Sequence, residues 1–189
     1  GPIPLGGRDT PAARGRELRQ VYRDLQKVFQ MPAGSFDPRR TIGYGVGESL
    51  RNSGLSKPQA ERKVAQLLEQ CGLPGAFAGR YPHELSAGQC QRAAIARALA
   101  IRPKLLICDE ATSALDVTVQ QQIVMLLTRL RAETGLSFLF ICHNLALVQS
   151  FCDRVLVMHE GQVVETGTPE EVIASPRSEY TRNLLDAAL

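Results

Sequence analysis

Tryptophan is absent from this sequence of 189 residues, and aromatic residues make up only 5% of it. No apolar run approaches the ~20 residues that a membrane-spanning helix needs, and no signal peptide is visible. Any role at a membrane is therefore expected to be that of a peripheral partner. Lysine is scarce, with four residues at positions 27, 57, 63 and 104 against eighteen arginines, and the net charge is +3. These cations are scattered without a basic tail, which gives no support for nucleic-acid binding. The five cysteines (Cys71, Cys90, Cys108, Cys142 and Cys152) form no C-x-x-C pair. That spacing speaks against a disulfide framework or a thiolate metal site, and for buried, reduced thiols in a cytosolic protein. What remains is an ordinary globular composition, 44% hydrophobic, enough for one packed domain with room for a subdomain.

The stretch 85–116, LSAGQCQRAAIARALAIRPKLLICDEATSALD, organises the rest. Ser86 followed by Gln89 has capping-box spacing, and the alanine-rich run behind it is the cheapest kind of sequence to make helical. Arg102-Pro103 stops that helix, because proline disfavours helix in the residue before it and has no amide hydrogen. Leu105, Leu106, Ile107 and Cys108 form an unbroken apolar run, which predicts a short strand buried on both faces. The strand delivers Asp109 and Glu110 at its carboxyl end, where ligands bind in open α/β sheets. An isolated Asp-Glu pair would usually do no more than start the next turn. Here Leu85-Ser86-Ala87-Gly88-Gln89 closely resembles the signature motif of ABC-type ATPases, residues 105–110 resemble their Walker B strand, and Ser113-Ala114-Leu115-Asp116 their D-loop, in the family's order and spacing. Three matches in register within one short segment identify the chain as similar to that family.

Taken in order, Ile3-Pro4-Leu5-Gly6-Gly7-Arg8-Asp9 reads as a short strand and turn, with prolines at 2 and 4 arguing for an edge strand, and a polar, Arg-rich run leads to a half-buried strand at 25–29. Gln30, after that strand, is most simply a solvated loop residue; the resemblance places it at the Q-loop, where it implies sensing of Mg²⁺ and of the attacking water. Phe29-Gln30, Pro32, Ser35, Asp37-Pro38-Arg39-Arg40-Thr41 and Gly47-Glu48-Ser49-Leu50 resemble the peptide and nickel importer branch, which commonly has Asp where this chain has Met31 and Asn where it has Asp37. Gly43, Gly45 and Gly47 give no G-x-G-x-x-G spacing, so a dinucleotide loop is discounted. Ser56 caps a predicted helix whose stripe is Ala60, Val64, Leu67, Leu68 and Cys71, with Gly72 ending it. Asp116 caps a second amphipathic helix that ends near Gly135. Residues 137–142 read as a second buried strand with His143 after it, a position that resembles the H-loop, with Asn144 in place of the usual Asp. A hairpin turning at Glu160-Gly161 and a capped helix at Thr168-Pro169 complete the pattern.

The resemblance implies an α/β fold, a RecA-like P-loop NTPase core of ABC ATPase type built from 1–30 and 93–189, with an inserted helical subdomain at 31–92. In the family, two such subunits sandwich ATP. Asp109 and Gln30 would attend the Mg²⁺, Glu110 would act as general base on water, and His143 and Gln30 would complete the site. Ser86, Ala87, Gly88 and Gln89 would meet the partner's γ-phosphate, and Asp116 would cross the dimer seam. Ala87 stands where glycine is usual and adds a methyl close to the phosphate. The implied partners are a second ABC ATPase subunit, membrane permease subunits and, indirectly, an extracytoplasmic solute-binding protein, with no nucleic acid. The implied place is the cytoplasmic face of the membrane, and the implied work is import of peptides or a related small solute. A degenerate, non-catalytic partner subunit and a soluble ABC ATPase of translation or DNA repair are the rival readings; intact Glu110 and His143 count against the first, and the lack of tandem domains or coiled insertions against the second.

One family element has no match. The loop G-x-x-x-x-G-K-[S/T], whose backbone N–H groups and lysine hold phosphates, does not occur, and none of the four lysines follows a glycine. The sequence thus reads as an N-terminally truncated form of the domain. Calorimetry of this chain with Mg-ATP is expected to show no micromolar binding and no measurable turnover; micromolar binding would contradict the reading.

Overall fold

The computed structural model describes residues 4–5, 8–9, 14–29, 32–111 and 115–187. The chain divides into two compact units, residues 1–142 and 143–189.

The first unit opens with a small antiparallel pair, β1 (Pro4–Leu5) with β2 (Arg8–Asp9). The Arg-rich run, which reads in sequence only as a polar connection, folds as α1 (Gly15–Asp24), which buries only Val21 and the carboxylate-bearing Asp24. Leu18, Val21 and Tyr22 recur at the i, i+3, i+4 spacing of a helix, but the arginines around them mask it as a polar run. It leads directly into β3 (Leu25–Val28). After a 3₁₀ turn at Pro32–Ser35 come two five-residue helices, α2 (Ile42–Val46) and α3 (Glu48–Asn52). The next helix, α4 (Lys57–Gln70), buries Ala60, Val64, Leu67 and Leu68, the stripe its spacing predicts. At its start the Gln59 side chain accepts the Ser56 N–H at 3.0 Å. Gly72, at φ +75°, closes the helix, and a Cβ there would lie 2.7 Å from an Arg92 guanidinium nitrogen.

The signature helix α5 (Ala87–Leu99) begins on the predicted capping box: the Gln89 N–H donates to Ser86 Oγ at 3.3 Å and the Ser86 N–H to Gln89 Oε1 at 3.0 Å. Cys90, Gln91, Ala93, Ala94, Ile95, Ala96, Ala98 and Leu99 are all buried. Alanine is what lets a helix be enclosed on most of its circumference, since neighbours can approach its backbone closely. Two arginines on α5 fasten it to its surroundings. Arg92 donates to the Cys71 carbonyl (3.1 Å) and to Gln122 (3.2 Å), and Arg97 donates to the Ser35 carbonyl (2.5 Å) and hydroxyl (3.0 Å) while lying over the Phe36 ring. The helix stops before Arg102, which takes φ +53° ahead of Pro103.

Past that corner runs β4 (Leu105–Asp109), the middle of a parallel three-stranded sheet ordered β3, β4, β5 (Ser137–Ile141). At the amino end Lys104 ties the strands together: its N–H donates to the Asp24 carbonyl (2.8 Å), its carbonyl accepts from the Ser137 N–H (3.0 Å), and its ammonium pairs with the Asp24 carboxylate (3.3 Å). Between β4 and β5 lies α6 (Val117–Thr134), capped by Asp116 Oδ1 accepting the Val119 N–H at 3.0 Å and ended by Gly135 at φ +67°.

Burial on both faces of β4 and β5 is not what the sheet shows. In β4, Leu106 and Cys108 are buried while Leu105 and Ile107 are half-buried, and in β5 Leu139 and Ile141 are 42% and 49% exposed. The reason is topological, because β5 is an edge strand among the described residues and one face of the sheet is only partly covered. Apolar composition cannot distinguish a covered face from one left open.

The second unit contains α7 (Leu145–Phe151), the hairpin β6 (Val155–His159) and β7 (Gln162–Gly167), then α8 (Pro169–Ala174) and α9 (Glu179–Asp186). Glu160 and Gly161, both at positive φ (+48° and +78°), make the tight turn the sequence predicts. Glu165 is the polar clasp of this unit. Its carboxylate accepts the backbone N–H of Arg177 (2.9 Å) and of Ser178 (3.0 Å). Those bonds, Arg177's first, hold its pKa below the ordinary 4.5.

Two outcomes follow from this packing. A depressed carboxylate stabilises the fold above its unfolded pKa, and that contribution fades as pH falls through the folded value. Wild type should therefore exceed Glu165→Gln in chemical denaturation at pH 7, with the gap closing on acidification below about pH 4; a gap independent of pH would contradict the clasp. The second concerns Gly88, where a Cβ would stand 2.6 Å from Val119 Cγ1. Gly88→Ala should fail to bring the ~1 kcal/mol that the exchange gives in an open helix, and should bring it in a Val119→Ala background. Stabilisation by Gly88→Ala alone would contradict the contact.

Candidate functional site

Parallel pairing fixes where the carboxylates of the central strand emerge. Leu25 pairs with Leu105 and Val28 with Cys108 on one side, and Leu105 with Ser137 and Asp109 with Ile141 on the other. All three strands therefore finish at the same end of the sheet, and Asp109 and Glu110 leave from its middle. The Glu110 N–H donates to the Ile141 carbonyl at 2.8 Å, which carries the ladder one residue past the strand. Glu110 sits at φ +46°, a left-handed conformation that costs a side-chain-bearing residue on the order of 1 kcal/mol. Strain of this kind persists where the surroundings impose it, and it turns the Glu110 side chain off the strand's alternation.

Asp109 remains on the half-open face of the sheet. Its Oδ2 lies 2.8 Å from Lys27 Nζ, each side chain retaining a little over a third of its exposure (36% and 37%). The lysine ammonium also rests over the Phe29 ring, 4.7 Å from its centroid. Lys27 was not legible as a site residue. Alternation along Gln26-Lys27-Val28-Phe29 puts Lys27 opposite Val28, but its pairing with Asp109 depends on which strand lies beside β3 and in what register. Beside β3 a groove is lined by Tyr22, Phe29, Lys27, Glu48 and Arg97. Burial lowers the Arg97 pKa from its usual value, and Glu48 opposes that shift.

The signature residues form a second cluster. Ser86 and Ala87 are exposed at the start of α5, and Gly88 packs on Val119 in the first turn of α6. The Val119 N–H in turn is held by Asp116. The signature and the end of the predicted D-loop thus meet through one valine. That link joins two motifs twenty-eight positions apart, and nothing in either motif announces it.

Other expectations fall outside what the structure describes. Gln30 and Met31 lie outside the described residues, as do Ser113 and Ala114 of the predicted D-loop. His143 begins the second unit, exposed, two residues beyond β5 and just before Asn144, whose side chain accepts the Leu147 N–H at 3.1 Å and caps α7. Among the described residues no three His, Cys, Asp or Glu side chains converge as a metal cluster. Burial pushes the thiols of Cys71 and Cys108 up to about 12, so these cysteines stay protonated and inert, while Cys142 and Cys152 are half-buried. No described helix is long and apolar enough to cross a membrane.

The family profile described as ABC transporter matches residues 1–113. The chain is 47% identical over 183 residues to the oligopeptide transport ATP-binding protein OppF of Salmonella typhimurium, covering 96% of this chain and 55% of that protein. It is 46% identical over 188 residues to the glutathione import ATP-binding protein GsiA of Pectobacterium atrosepticum, covering 99% of this chain and 30% of that protein. The chain thus spans less than two thirds of these relatives. Among solved structures, cbiO1 of Clostridium perfringens, part of the ABC transporter complex cbiONQ, superposes with a TM-score of 0.80 at 30% identity over 89% of this chain and 66% of that one. A dimeric ATP-binding cassette bound to ADP and Pi in a post-hydrolysis state gives 0.76 at 28% identity, over 87% of this chain and 72% of that one. The expected α/β fold of a RecA-like ABC ATPase core is the fold observed, and on sequence and structure together this chain belongs to the ABC transporter ATP-binding family, in the branch that includes peptide importers.

Proposed function

We propose that this chain is the water-activating and partner-facing part of an ATP-hydrolysing subunit that powers import of peptides or a related small solute. The observation that carries the proposal is Glu110, held at the carboxyl end of the central strand by its bond to Ile141 and directed off the strand by its positive φ. Its neighbour Asp109 offers a hard carboxylate oxygen on the open face of the sheet, a donor that fits Mg²⁺ directly or through water. When bound, Mg²⁺ would neutralise charge on the β- and γ-phosphates of ATP.

In this reading the two adjacent carboxylates divide the work by geometry. Asp109 holds the cation, and Glu110 accepts a proton from the water that attacks the γ-phosphate. Gln30 and His143 position that water and the phosphate. Phosphoryl transfer depends chiefly on positioning and electrostatics, so a glutamate fixed by backbone geometry suits the role of base. Ser86, Ala87, Gly88 and Gln89 present the exposed start of α5, and its positive helix end, to a nucleotide held by a second ABC subunit, with Asp116 at the seam. Residues 31–92 serve as the helical subdomain, and 1–30 with 93–189 as the ATPase core. Membrane permease subunits are the further partners, at the cytoplasmic face of the membrane, with a solute-binding protein acting through them. The names of OppF and GsiA support this reading, as oligopeptide transport and glutathione import ATP-binding proteins.

In a protein that joins this chain to a phosphate-binding loop, Glu110→Gln should abolish steady-state hydrolysis and hold an ATP-bound dimer. Size-exclusion chromatography with ATP and a phosphate-release assay check this. Turnover at the unaltered rate would remove Glu110 from the role of base.

A further inference from the structure

On the reading of Asp109 as the cation-binding carboxylate, we infer that Lys27 is its built-in counter-ion: an ammonium that occupies the carboxylate until a divalent cation displaces it. The pairing follows from register. Lys27 lies opposite Ile107 across the β3–β4 ladder, and Val28 lies opposite Cys108. Val28 and Cys108 are both buried, so Lys27, Ile107 and Asp109 share the other, half-open face. Asp109 is then the diagonal neighbour of Lys27, two residues along the adjacent strand, a separation that a long side chain can bridge. The bridge is made at 2.8 Å.

Two features make this a reversible occupant. Both side chains keep about a third of their exposure (37% and 36%), so the carboxylate is open to an incoming ion. A pair this exposed is weak, and a divalent ion brings twice the charge to the same oxygens. The ammonium lies over the Phe29 ring, 4.7 Å from its centroid, while it is paired with Asp109, so Lys27 keeps one favourable contact by cation–π attraction when Asp109 is taken. Lysine suits such a part better than arginine does, because its ammonium is a compact point charge without the bidentate grip of a guanidinium. Lys27 is a positioning residue here: it holds Asp109 in place without metal and sets the threshold for metal entry, with no contact to the reacting atoms.

The test is Mn²⁺ binding to this chain, read by electron paramagnetic resonance, for wild type, K27M, K27Q, K27R and D109N. Removing the competing charge in K27M and K27Q should tighten Mn²⁺ binding by about two- to fivefold, the range set by a half-exposed ion pair. K27R, which keeps the charge, should stay at or below the wild-type affinity, and D109N should weaken binding. Affinity unchanged or lowered in both K27M and K27Q, with D109N still weaker, overturns the counter-ion and leaves Asp109 as the cation ligand. Unchanged affinity in D109N removes Asp109 from the cation site and overturns both.

Discussion

The register of three parallel strands is the constraint on which the rest of this structure depends. Lys104 fixes the amino ends of β3, β4 and β5 through its own N–H and carbonyl, and the Glu110 N–H fixes the carboxyl end against Ile141. A slip of one residue anywhere in that ladder would exchange the two faces of a strand. Leu106 and Cys108 would lose their buried positions, and Asp109 would leave the open face for the core. Burial of two apolar side chains is therefore what holds a charged one on the half-open face. The cost of ionising a carboxylate in a dry interior is large, so the same alternation that builds the core keeps Asp109 out of it.

A second constraint concerns closeness. The alanine-rich α5 is nearly enclosed, and Gly88 leaves no room for a side chain against Val119. Because Val119 is also the residue whose N–H Asp116 caps, the start of the signature helix and the start of α6 are mechanically one piece. Arg92 extends the linkage to the end of α4 and Arg97 to the 3₁₀ turn at Pro32–Ser35, so the signature is braced from several sides within the first unit. Bracing of this kind suits the role proposed for Ser86, Ala87, Gly88 and Gln89, which is to present backbone and hydroxyl groups in fixed positions.

Local chemistry was the legible part. Ser86 with Gln89, Asp116 and Gly135, Thr168 with Pro169, and Glu160 with Gly161 each announce a cap or turn by residue type, and each stands where its type predicts. The stripe of α4 was equally readable, because a 3.6-residue period over fourteen residues has few rivals. Non-local facts were not readable. Whether Leu139 and Ile141 face core or solvent depends on what else covers the sheet, and apolar composition answers only that they can be buried. The α1 helix hid behind arginines: Leu18, Val21 and Tyr22 have helical spacing, yet the run around them reads as polar. Of the site, Asp109 and Glu110 were visible at the end of an apolar run, whereas Lys27 required knowledge of the neighbouring strand and its register. The positive φ of Glu110 had no sequence signal, since glutamate rarely takes that conformation.

On the function proposed above, the carboxyl end of β4 is where the cation and the attacking water of ATP hydrolysis are held. The most direct measurement uses Fe²⁺ in place of Mg²⁺ in a protein that carries both this chain and a phosphate-binding loop, loaded with ATP, with hydroxyl-radical cleavage of the backbone mapped by mass spectrometry. The account predicts nucleotide-dependent cuts centred on Asp109 and Glu110. Cuts that cluster elsewhere in the chain, with positions 109 and 110 untouched, would contradict it.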